Sequence, residues 1–278
     1  MCGISGIIKD KISNNLILND EIKKMSLSLR HRGPDNHDVW ISSEDSVALG
    51  HQRLSILDLS AAGNQPMELN NSRFVISFNG EIYNHLKIRK RLENEANRPY
   101  LWKSQSDTET LIRAFEAWGK LQTLERCHGM FSIAIWDKQK KNLTLARDRF
   151  GEKPLYYGWV NNHFVFASEI KAFKTLSYFH NAISKKALHY FLKVNYIPSP
   201  LSIYENIYKL EPGTFFEIDR SVKDISQINF NKFWTLEKVV KDGKNNTILQ
   251  ESLYLDELEN RLTNSVKSQM LSDVPLGS

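Results

Sequence analysis

MCGISGII, residues 1–8, opens the chain with a cysteine directly after the first methionine and with two glycines close behind it. This isoleucine-rich run has the length of a strand, and Lys9 interrupts it too early for a secretion signal. Removal of Met1 would leave a thiol and an α-amine on Cys2. Their ordinary pKa values of about 8.5 and about 7.7–8.0 allow the amine to accept the thiol proton. On position alone, a nucleophile and a buried structural cysteine are equally good interpretations of Cys2.

The composition indicates a globular protein without a membrane span. Of the 278 residues, 41% are hydrophobic, yet no apolar run approaches the ~20 residues needed to cross a bilayer. The two cysteines, Cys2 and Cys127, provide neither a disulfide framework nor the ligand spacing of a zinc site. We therefore expect no metal site, no membrane partner and a cytoplasmic location.

The charge distribution does not predict a nucleic-acid partner. The net charge of +5 is modest, and its densest basic cluster, KIRKRL at residues 87–92, lies in a segment with apolar residues at helical spacing. A solvated helix face is favoured over a phosphate-binding patch for this cluster.

Strand-like and helix-like segments are interspersed without a strict βαβ repeat, which predicts an α+β fold. The predicted strands are residues 2–8, 74–80, 129–137, 143–148, 154–160, 164–168 and 214–218. The predicted helices lie near residues 20–31, 84–96, 107–119 and 184–195. Ser106 or Asp107 is expected to cap the third helix.

The composition changes near residue 219. Residues 219–252 are polar, with few apolar residues at any regular spacing, and are interpreted as a linker. In residues 253–278 a row of apolar side chains at helical spacing predicts an amphipathic helix with nothing to pack on: Leu258, Leu262, Val266 and Met270.

Three short motifs carry residues suited to amide chemistry. In FNGEIYNH, residues 78–85, a strand is expected to end at Phe78, and the Asn79 amide and Gly80 N–H could stabilise an oxyanion. Arg53 in GHQRLSILDLS could hold a carboxylate with two hydrogen bonds, and Asp107 could accept from an ammonium. Taken singly, each motif has a plainer interpretation, namely a turn, a surface ion and a helix cap.

Two further motifs concentrate charge. SLRHRGPDNHDVW, residues 28–40, is interpreted as a loop without metal-ligand spacing. In ARDRFGEKPLYY, residues 146–157, a structural ion-pair network is favoured over an anion site.

Taken together, these segments resemble the class II glutamine amidotransferase domain of glutamine-hydrolysing asparagine synthetases. The resemblance covers about residues 2–218. It runs in order through MCGISGI, HRGPD, GHQRLSILDLS, NQPM, FNGEIYNH, SDTE, GMFSIAIWD, ARDRFGEKPLYY, FASEIKA and YIPSPLSIYENIYKLEPG.

The resemblance implies an N-terminal-nucleophile fold, a four-layer αββα sandwich of two antiparallel sheets. It also implies that Cys2 forms a glutamyl thioester and releases ammonia, with Asn79 and Gly80 as the oxyanion hole. Arg53 would hold the glutamine carboxylate, and Glu81 and Asp107 its ammonium. The full implied glutamine site is Arg53, Leu54, Ser55, Ile56, Leu57, Asn79, Gly80, Glu81 and Asp107.

In the family, ammonia passes to a synthetase domain that uses ATP and magnesium and whose pyrophosphate loop reads SGGxDS. SDVPLGS, residues 272–278, is similar to the approach to that loop, so we expect a chain truncated before it, with no cofactor of its own. The predicted domains are the glutaminase (2–218), a linker (219–252) and the start of a synthetase domain (253–278). A homodimer is compatible with the sequence.

The sequence thus predicts the glutaminase part of an enzyme that amidates aspartate to asparagine. Three alternatives stay open: a relative that amidates another carboxylate, for example on a surface sugar, an inactive remnant that only binds a partner, and a self-processing hydrolase of peptides. The last is less favoured, because Arg53 and Asp107 suit an amino acid that is charged at both ends.

Overall fold

The computed structural model describes residues 1–12, 14–97, 99–245 and 251–275. The strands are β1 (Gly3–Ile8), β2 (Asn36–Ser42), β3 (Val47–Arg53), β4 (Met67–Glu68), β5 (Phe74–Ile82), β6 (Gly129–Asp137), β7 (Asn142–Arg147), β8 (Tyr156–Val160), β9 (His163–Ala167), β10 (Ile207–Lys209), β11 (Thr214–Ile218) and β12 (Asn231–Lys232). The helices are α1 (Asn15–Leu27), α2 (His85–Ala96), α3 (Asp107–Arg126), α4 (Lys185–Val194), α5 (Leu236–Asn245) and α6 (Glu251–Gln269).

In this part of the chain the strands form two six-stranded sheets. The first has the order β10-β8-β9-β1-β3-β2 and the second has the order β12-β11-β7-β6-β5-β4. Every pairing is antiparallel. The predicted α+β fold with two antiparallel sheets is therefore confirmed.

Three apolar clusters hold these layers together. The middle cluster joins the two sheets and includes Ile4 and Leu49 of the first and Ala134 and Trp136 of the second. A second cluster packs α1 against the first sheet. A third packs α2 and α3 against the second sheet. Because both sheets are covered on each face, most strand residues are apolar rather than alternating, which is the pattern of strands buried on two sides.

The predicted strands are all present, but the interpretation of residues 28–40 as one loop is wrong. Residues 30–32 form a 3₁₀ turn and Asn36 begins β2, which pairs with β3 over its whole length. β2 was missed because the polar residues Asn36, His37 and Asp38 interrupt its apolar pattern, and the second half of β3 is polar as well. The expected strand end at Phe78 is also wrong, since β5 continues to Ile82 beside β6.

The helix bounds differ from the predicted ones where capping residues decide them. Helix α1 begins at residue 15 because the Asn14 side chain accepts from Leu16 N, and it ends at residue 27. In α3 the Ser106 hydroxyl accepts from Thr108 N at 3.1 Å, so one of the two expected caps is confirmed. The predicted end of this helix at residue 119 coincides with a break, where Gly119 has φ 71° and ψ −177°.

One arginine of the basic cluster is buried, which corrects the interpretation of a fully solvated helix face. Arg89 is 7% exposed and donates to Ser104 O, Ser106 O and Thr110 Oγ1 at 2.7–3.0 Å. Its guanidinium also lies 4.2 Å from the centre of the Trp102 ring. These contacts fix the loop that leads into α3, so this side chain is structural.

Part of the predicted linker belongs to the two-sheet domain. Strand β12 pairs with β11, and Ile228 and Phe233 are each 8% exposed. Of the predicted apolar row, Leu258, Leu262 and Val266 lie on α6 and Met270 directly follows it; these side chains are 40–60% exposed. Among the described residues, no helix has the length and apolarity that a membrane crossing requires.

Candidate active site

A cleft of about 630 Å³, counting the part open to solvent, lies where the ends of β1, β3 and β5 meet the start of α3. Nine of the ten residues expected at the site line this cleft. They are Cys2, Arg53, Leu54, Ile56, Leu57, Asn79, Gly80, Glu81 and Asp107. Ser55 is not part of the lining, because its backbone N–H donates to Asp35 Oδ2 at 2.8 Å instead. The structure therefore gathers residues from four separate segments into one cleft.

The Cys2 thiol is fixed against the backbone of Leu54. Leu54 N lies 3.4 Å from Cys2 Sγ, and Sγ lies 3.6 Å from Leu54 O. Burial raises the pKa of the Cys2 thiol, while the Leu54 N–H contact opposes that shift. The Arg32 side chain fixes the backbone, since its Nε donates to Cys2 O at 2.9 Å. Met1 is 54% exposed and lines the cleft together with Cys2.

The Asn79 amide is buried and forms no hydrogen bond within the described part of the chain. The residue is 0% exposed, and neither its Nδ2 nor its Oδ1 has a hydrogen-bond partner among the described residues. Leaving a buried amide unpaired costs about 1–3 kcal/mol, so such groups are rare in proteins. An unpaired amide that lines a cleft is suited to bind a ligand atom placed there.

The Gly80 N–H faces the same cleft because of the register of β5. N–H groups two residues apart along a strand point to the same edge. On this edge Phe78 N donates to Gln65 Oε1 at 2.7 Å and Ile82 N donates to Asp107 Oδ2 at 2.8 Å, with Gly80 between them. A Cβ on residue 80 would lie 2.1 Å from Met130 O, so the backbone of β6 excludes any side chain here.

Asp107 is the first residue of α3, and its carboxylate is buried away from solvent. It is 4% exposed, and its Oδ2 accepts from Ile82 N. Burial is the main reason why the pKa of Asp107 is raised to about 7; the Ile82 hydrogen bond opposes the shift and the nearby Glu81 adds to it. Among the described residues, no cationic side chain forms an ion pair with this carboxylate.

The raised pKa predicts a pH-dependent stability difference for Asp107→Asn. Between the unfolded pKa of about 3.9 and the folded pKa of about 7, the folded chain keeps a proton that the unfolded chain has lost. The unfolding free energy of the natural protein should then fall as pH rises through this window, whereas the amide variant does not titrate. Thermal unfolding of both proteins is measured at several pH values. The free energy of unfolding of the variant, relative to that of the natural protein, should increase up to about pH 7 and then stay constant. A difference that is constant with pH would mean that Asp107 stays ionised throughout.

Arg53 binds the loop that follows it, which its sequence pattern did not reveal. Its Nη1 donates to Ser60 O at 2.9 Å and to Asn64 Oδ1 at 2.8 Å. Its Nη2 donates to Leu57 O at 3.4 Å and also to Asp58 O. Both terminal nitrogens thus donate to the loop, so the expected bidentate hydrogen bonding to a carboxylate would require some of these contacts to be exchanged.

A sequence model of the family described as "Glutamine amidotransferase domain" matches residues 1–234. The chain belongs to this family. The match extends through β12, whose residues the sequence pattern had placed in a linker.

Relatives of this amidotransferase domain include longer proteins. Glutamine-hydrolyzing asparagine synthetase 1 of Bacillus subtilis is 34% identical over 283 residues, which cover 100% of this chain and 41% of that protein. Amidase chry2 of Gibberella zeae is 31% identical over 284 residues, which cover 99% and 40%. A protein of Methanocaldococcus jannaschii is 34% identical over 299 residues, which cover 100% and 54%. The chain thus spans about half or less of the length of these relatives.

Solved structures share the fold of the amidotransferase domain. Glutamine phosphoribosylpyrophosphate amidotransferase from Bacillus subtilis aligns with a TM-score of 0.58 at 19% identity, over 84% of this chain and 50% of that chain. A structure of the allosteric regulatory enzyme of purine biosynthesis aligns with a TM-score of 0.60 at 19% identity, over 84% and 49%. At this identity the likeness shows the fold alone.

Reasoning on the sequence did not place Lys153 and Gln65, among other lining residues, in the cleft. Lys153 is 6% exposed and lines the cleft, where burial lowers its pKa and Glu81 and Cys2 oppose that shift. Gln65 also lines the cleft and donates to Thr108 Oγ1 at 3.2 Å. Lys153 lies in ARDRFGEKPLYY and Gln65 in NQPM, two of the motifs that carry the family resemblance, and this was the sequence signal that could have placed them at the site.

The rest of the ARDRFGEKPLYY motif is structural, as predicted, but its contacts are mostly with backbone groups rather than between charged side chains. Arg147 donates to Gly151 O, Lys153 O and Leu210 O, and the Asp148 carboxylate accepts from four backbone N–H groups. In the described part of the chain, no three His, Cys, Asp or Glu side chains lie close enough together to hold a metal ion.

Proposed function

We propose that this domain hydrolyses glutamine to glutamate and ammonia through a thioester on Cys2. The observation that carries the proposal is the buried, unpartnered Asn79 amide in the cleft that also holds the Cys2 thiol. A nucleophile beside an unoccupied hydrogen-bond donor is the arrangement that acyl transfer requires.

Activation of the nucleophile depends on removal of Met1. While Met1 is attached, the Cys2 nitrogen is an amide and cannot take up a proton. Once Met1 is removed, the α-amine of Cys2 can accept the Sγ proton, directly or through a water, so that the thiolate attacks the side-chain carbonyl carbon of glutamine. The Leu54 N–H, 3.4 Å from Sγ, favours the thiolate by donating to it.

The carbonyl oxygen becomes an oxyanion as the C–S bond forms. Asn79 Nδ2 and Gly80 N–H are the proposed donors to it, because the two residues are adjacent in β5 and both line the cleft. The α-ammonium then returns its proton to the departing nitrogen, the C–N bond breaks and ammonia leaves. Water attacks the resulting thioester in a second step, which releases glutamate and restores the thiol.

Recognition of free glutamine is assigned to charges at the other end of the cleft. Asp107, with Glu81 nearby, is proposed to bind the substrate ammonium, which would be a cationic partner for this buried carboxylate. The carboxylate is assigned to Arg53 and to the backbone of residues 54–57, after exchange of some of the loop contacts described above. A peptide would offer neither charge, which disfavours the peptide-hydrolase alternative.

The test is intact mass before and after exposure to a glutamine-analogue diazo-ketone, together with an ammonia assay. We expect loss of Met1, a single adduct on Cys2 and protection by added glutamine. Cys127 is an internal control, because it is 0% exposed and should stay unmodified. An unmodified Cys2 after Met1 removal, with no ammonia release, would favour the alternative of a binding remnant without activity.

For the longer protein to which such domains belong, we propose ATP-dependent amidation of aspartate with the released ammonia. The name of the Bacillus subtilis relative, asparagine synthetase, supports aspartate as the acceptor. ATP and magnesium would be bound by residues outside this sequence. A different acceptor is the alternative, since a relative of similar coverage is named an amidase.

A further inference from the structure

The segment that follows α6 reaches back to the loop at the cleft. Asp273 N donates to Ile56 O at 2.9 Å, and Asp273 Oδ2 accepts from Asp58 N at 2.7 Å. One residue thereby satisfies a carbonyl and an N–H of the same loop. Asp58 and Asp273 are 215 positions apart in the chain.

The loop held in this way shapes both ends of the cleft. Leu54, Ile56 and Leu57 line it, and Leu54 contributes both backbone contacts to the Cys2 sulfur. A shift of residues 56–58 would therefore change the substrate-binding wall and would act on the thiol through Leu54.

The Asp58 N–H donates to Asp273 and not to the carboxylate of Asp58 itself. Asp58 adopts a positive φ of 54°, which is uncommon for a residue other than glycine. Its own carboxylate is already used, since Oδ1 accepts from Ser60 N at 3.1 Å and Oδ2 accepts from Gln105 N at 2.7 Å. The Asp58 N–H thus depends on Asp273, because the residue is 8% exposed and a buried N–H needs a partner.

We infer that Asp273 is a positioning residue for glutamine binding, which holds the 56–58 loop in the conformation that the substrate requires. This inference rests on the proposed glutaminase function. Asp273 itself is exposed, so the segment can leave the loop without uncovering apolar core. The position of the chain after α6 is thereby linked to glutamine affinity. A rearrangement of that segment would change the conformation of the 56–58 loop and with it the affinity for glutamine.

The experiment compares Asp273→Ala and Asp273→Asn with the natural full chain, and Asp256→Asn on exposed α6 serves as the matched control. Glutamine KM and kcat for ammonia release are measured, together with hydrogen exchange of the Asp58 amide. A charge-assisted hydrogen bond at an exposed position predicts that Asp273→Ala raises KM about three- to tenfold and changes kcat by less than about twofold. The smaller change is expected for Asp273→Asn, which keeps one acceptor oxygen, and no change for Asp256→Asn. The Asp58 amide should exchange faster in Asp273→Ala.

The outcomes separate the inference from the function on which it rests. An active natural chain with the same KM in Asp273→Ala overturns the inference alone. A natural chain that releases no ammonia overturns the proposed function, and the exchange rate of the Asp58 amide then decides the positioning role by itself. Unchanged exchange would overturn that role as well.

Discussion

Cys2→Ala is expected to abolish ammonia release from glutamine, by a factor of at least about 10³, while the chain stays folded. Removing the nucleophile of an acyl-transfer site leaves only the contribution of binding and of the oxyanion donors. The fold should be unaffected, because Cys2 precedes β1 and its sulfur contacts only the Leu54 backbone among the described hydrogen-bonding groups. Ammonia release at saturating glutamine, with thermal unfolding in parallel, checks both parts.

Cys127→Ala is the matched control for this prediction. Cys127 is fully buried in the core between α3 and the second sheet, and burial raises the pKa of its thiol to about 12. Its loss should lower stability, as removal of a buried side-chain atom does, but kcat should stay within about twofold of the natural value. Turnover retained in Cys2→Ala would remove Cys2 from the mechanism, whatever the control shows.

The second large effect is expected for Asn79→Ala, which should lower kcat about 10²–10³-fold with little change in KM. The change removes a donor to the charge that develops in the transition state, and such donors contribute little to binding of the ground state. Stability should be unchanged or higher, because the variant no longer buries an amide without a partner. An active site often holds such a group at a cost to stability.

Asn84→Ala gives the opposite pattern and so serves as the control. Asn84 Nδ2 donates to Arg126 O at 2.9 Å, and Asn84 Oδ1 accepts from His128 N at 2.8 Å. Its removal should destabilise the chain by about 1–2 kcal/mol and leave kcat nearly unchanged. Equal kcat losses in the two variants, or a loss of stability in Asn79→Ala, would contradict the assignment of Asn79 as an oxyanion donor.

The strands and the cleft residues were predicted from different features of the sequence. Strands such as β6 and β11 follow directly from uninterrupted apolar and aromatic runs. β2 and β3 do not, because polar residues interrupt their apolar pattern: His37 and Asp38 of β2 are exposed, whereas His51, Gln52 and Arg53 of β3 are buried. The cleft itself was reached through many short motifs in a fixed order, because no single one of them distinguishes a site from a turn or a cap.

What the sequence could not show was the partner of each polar group. The Asn-Gly pair at residues 79–80 suggests a turn locally, and only pairing with β6 keeps it extended. Arg53 was expected to bind substrate, yet loop oxygens occupy its terminal nitrogens, and loop conformation cannot be derived from local pattern. Asp273 had no assigned role, since its contacts depend on the course of the chain after α6.

The proposed catalytic groups are divided between the two sheets. Cys2 and Arg53 are attached to β1 and β3 of one, and Asn79 and Gly80 belong to β5 of the other. The distance from nucleophile to oxyanion donors is therefore set by the thickness of the apolar layer between the sheets, in which side chains such as Leu49 and Trp136 act as spacers. A change of volume in that layer would alter the geometry of attack without touching the cleft, so the choice of core residues here is constrained by chemistry as well as by stability.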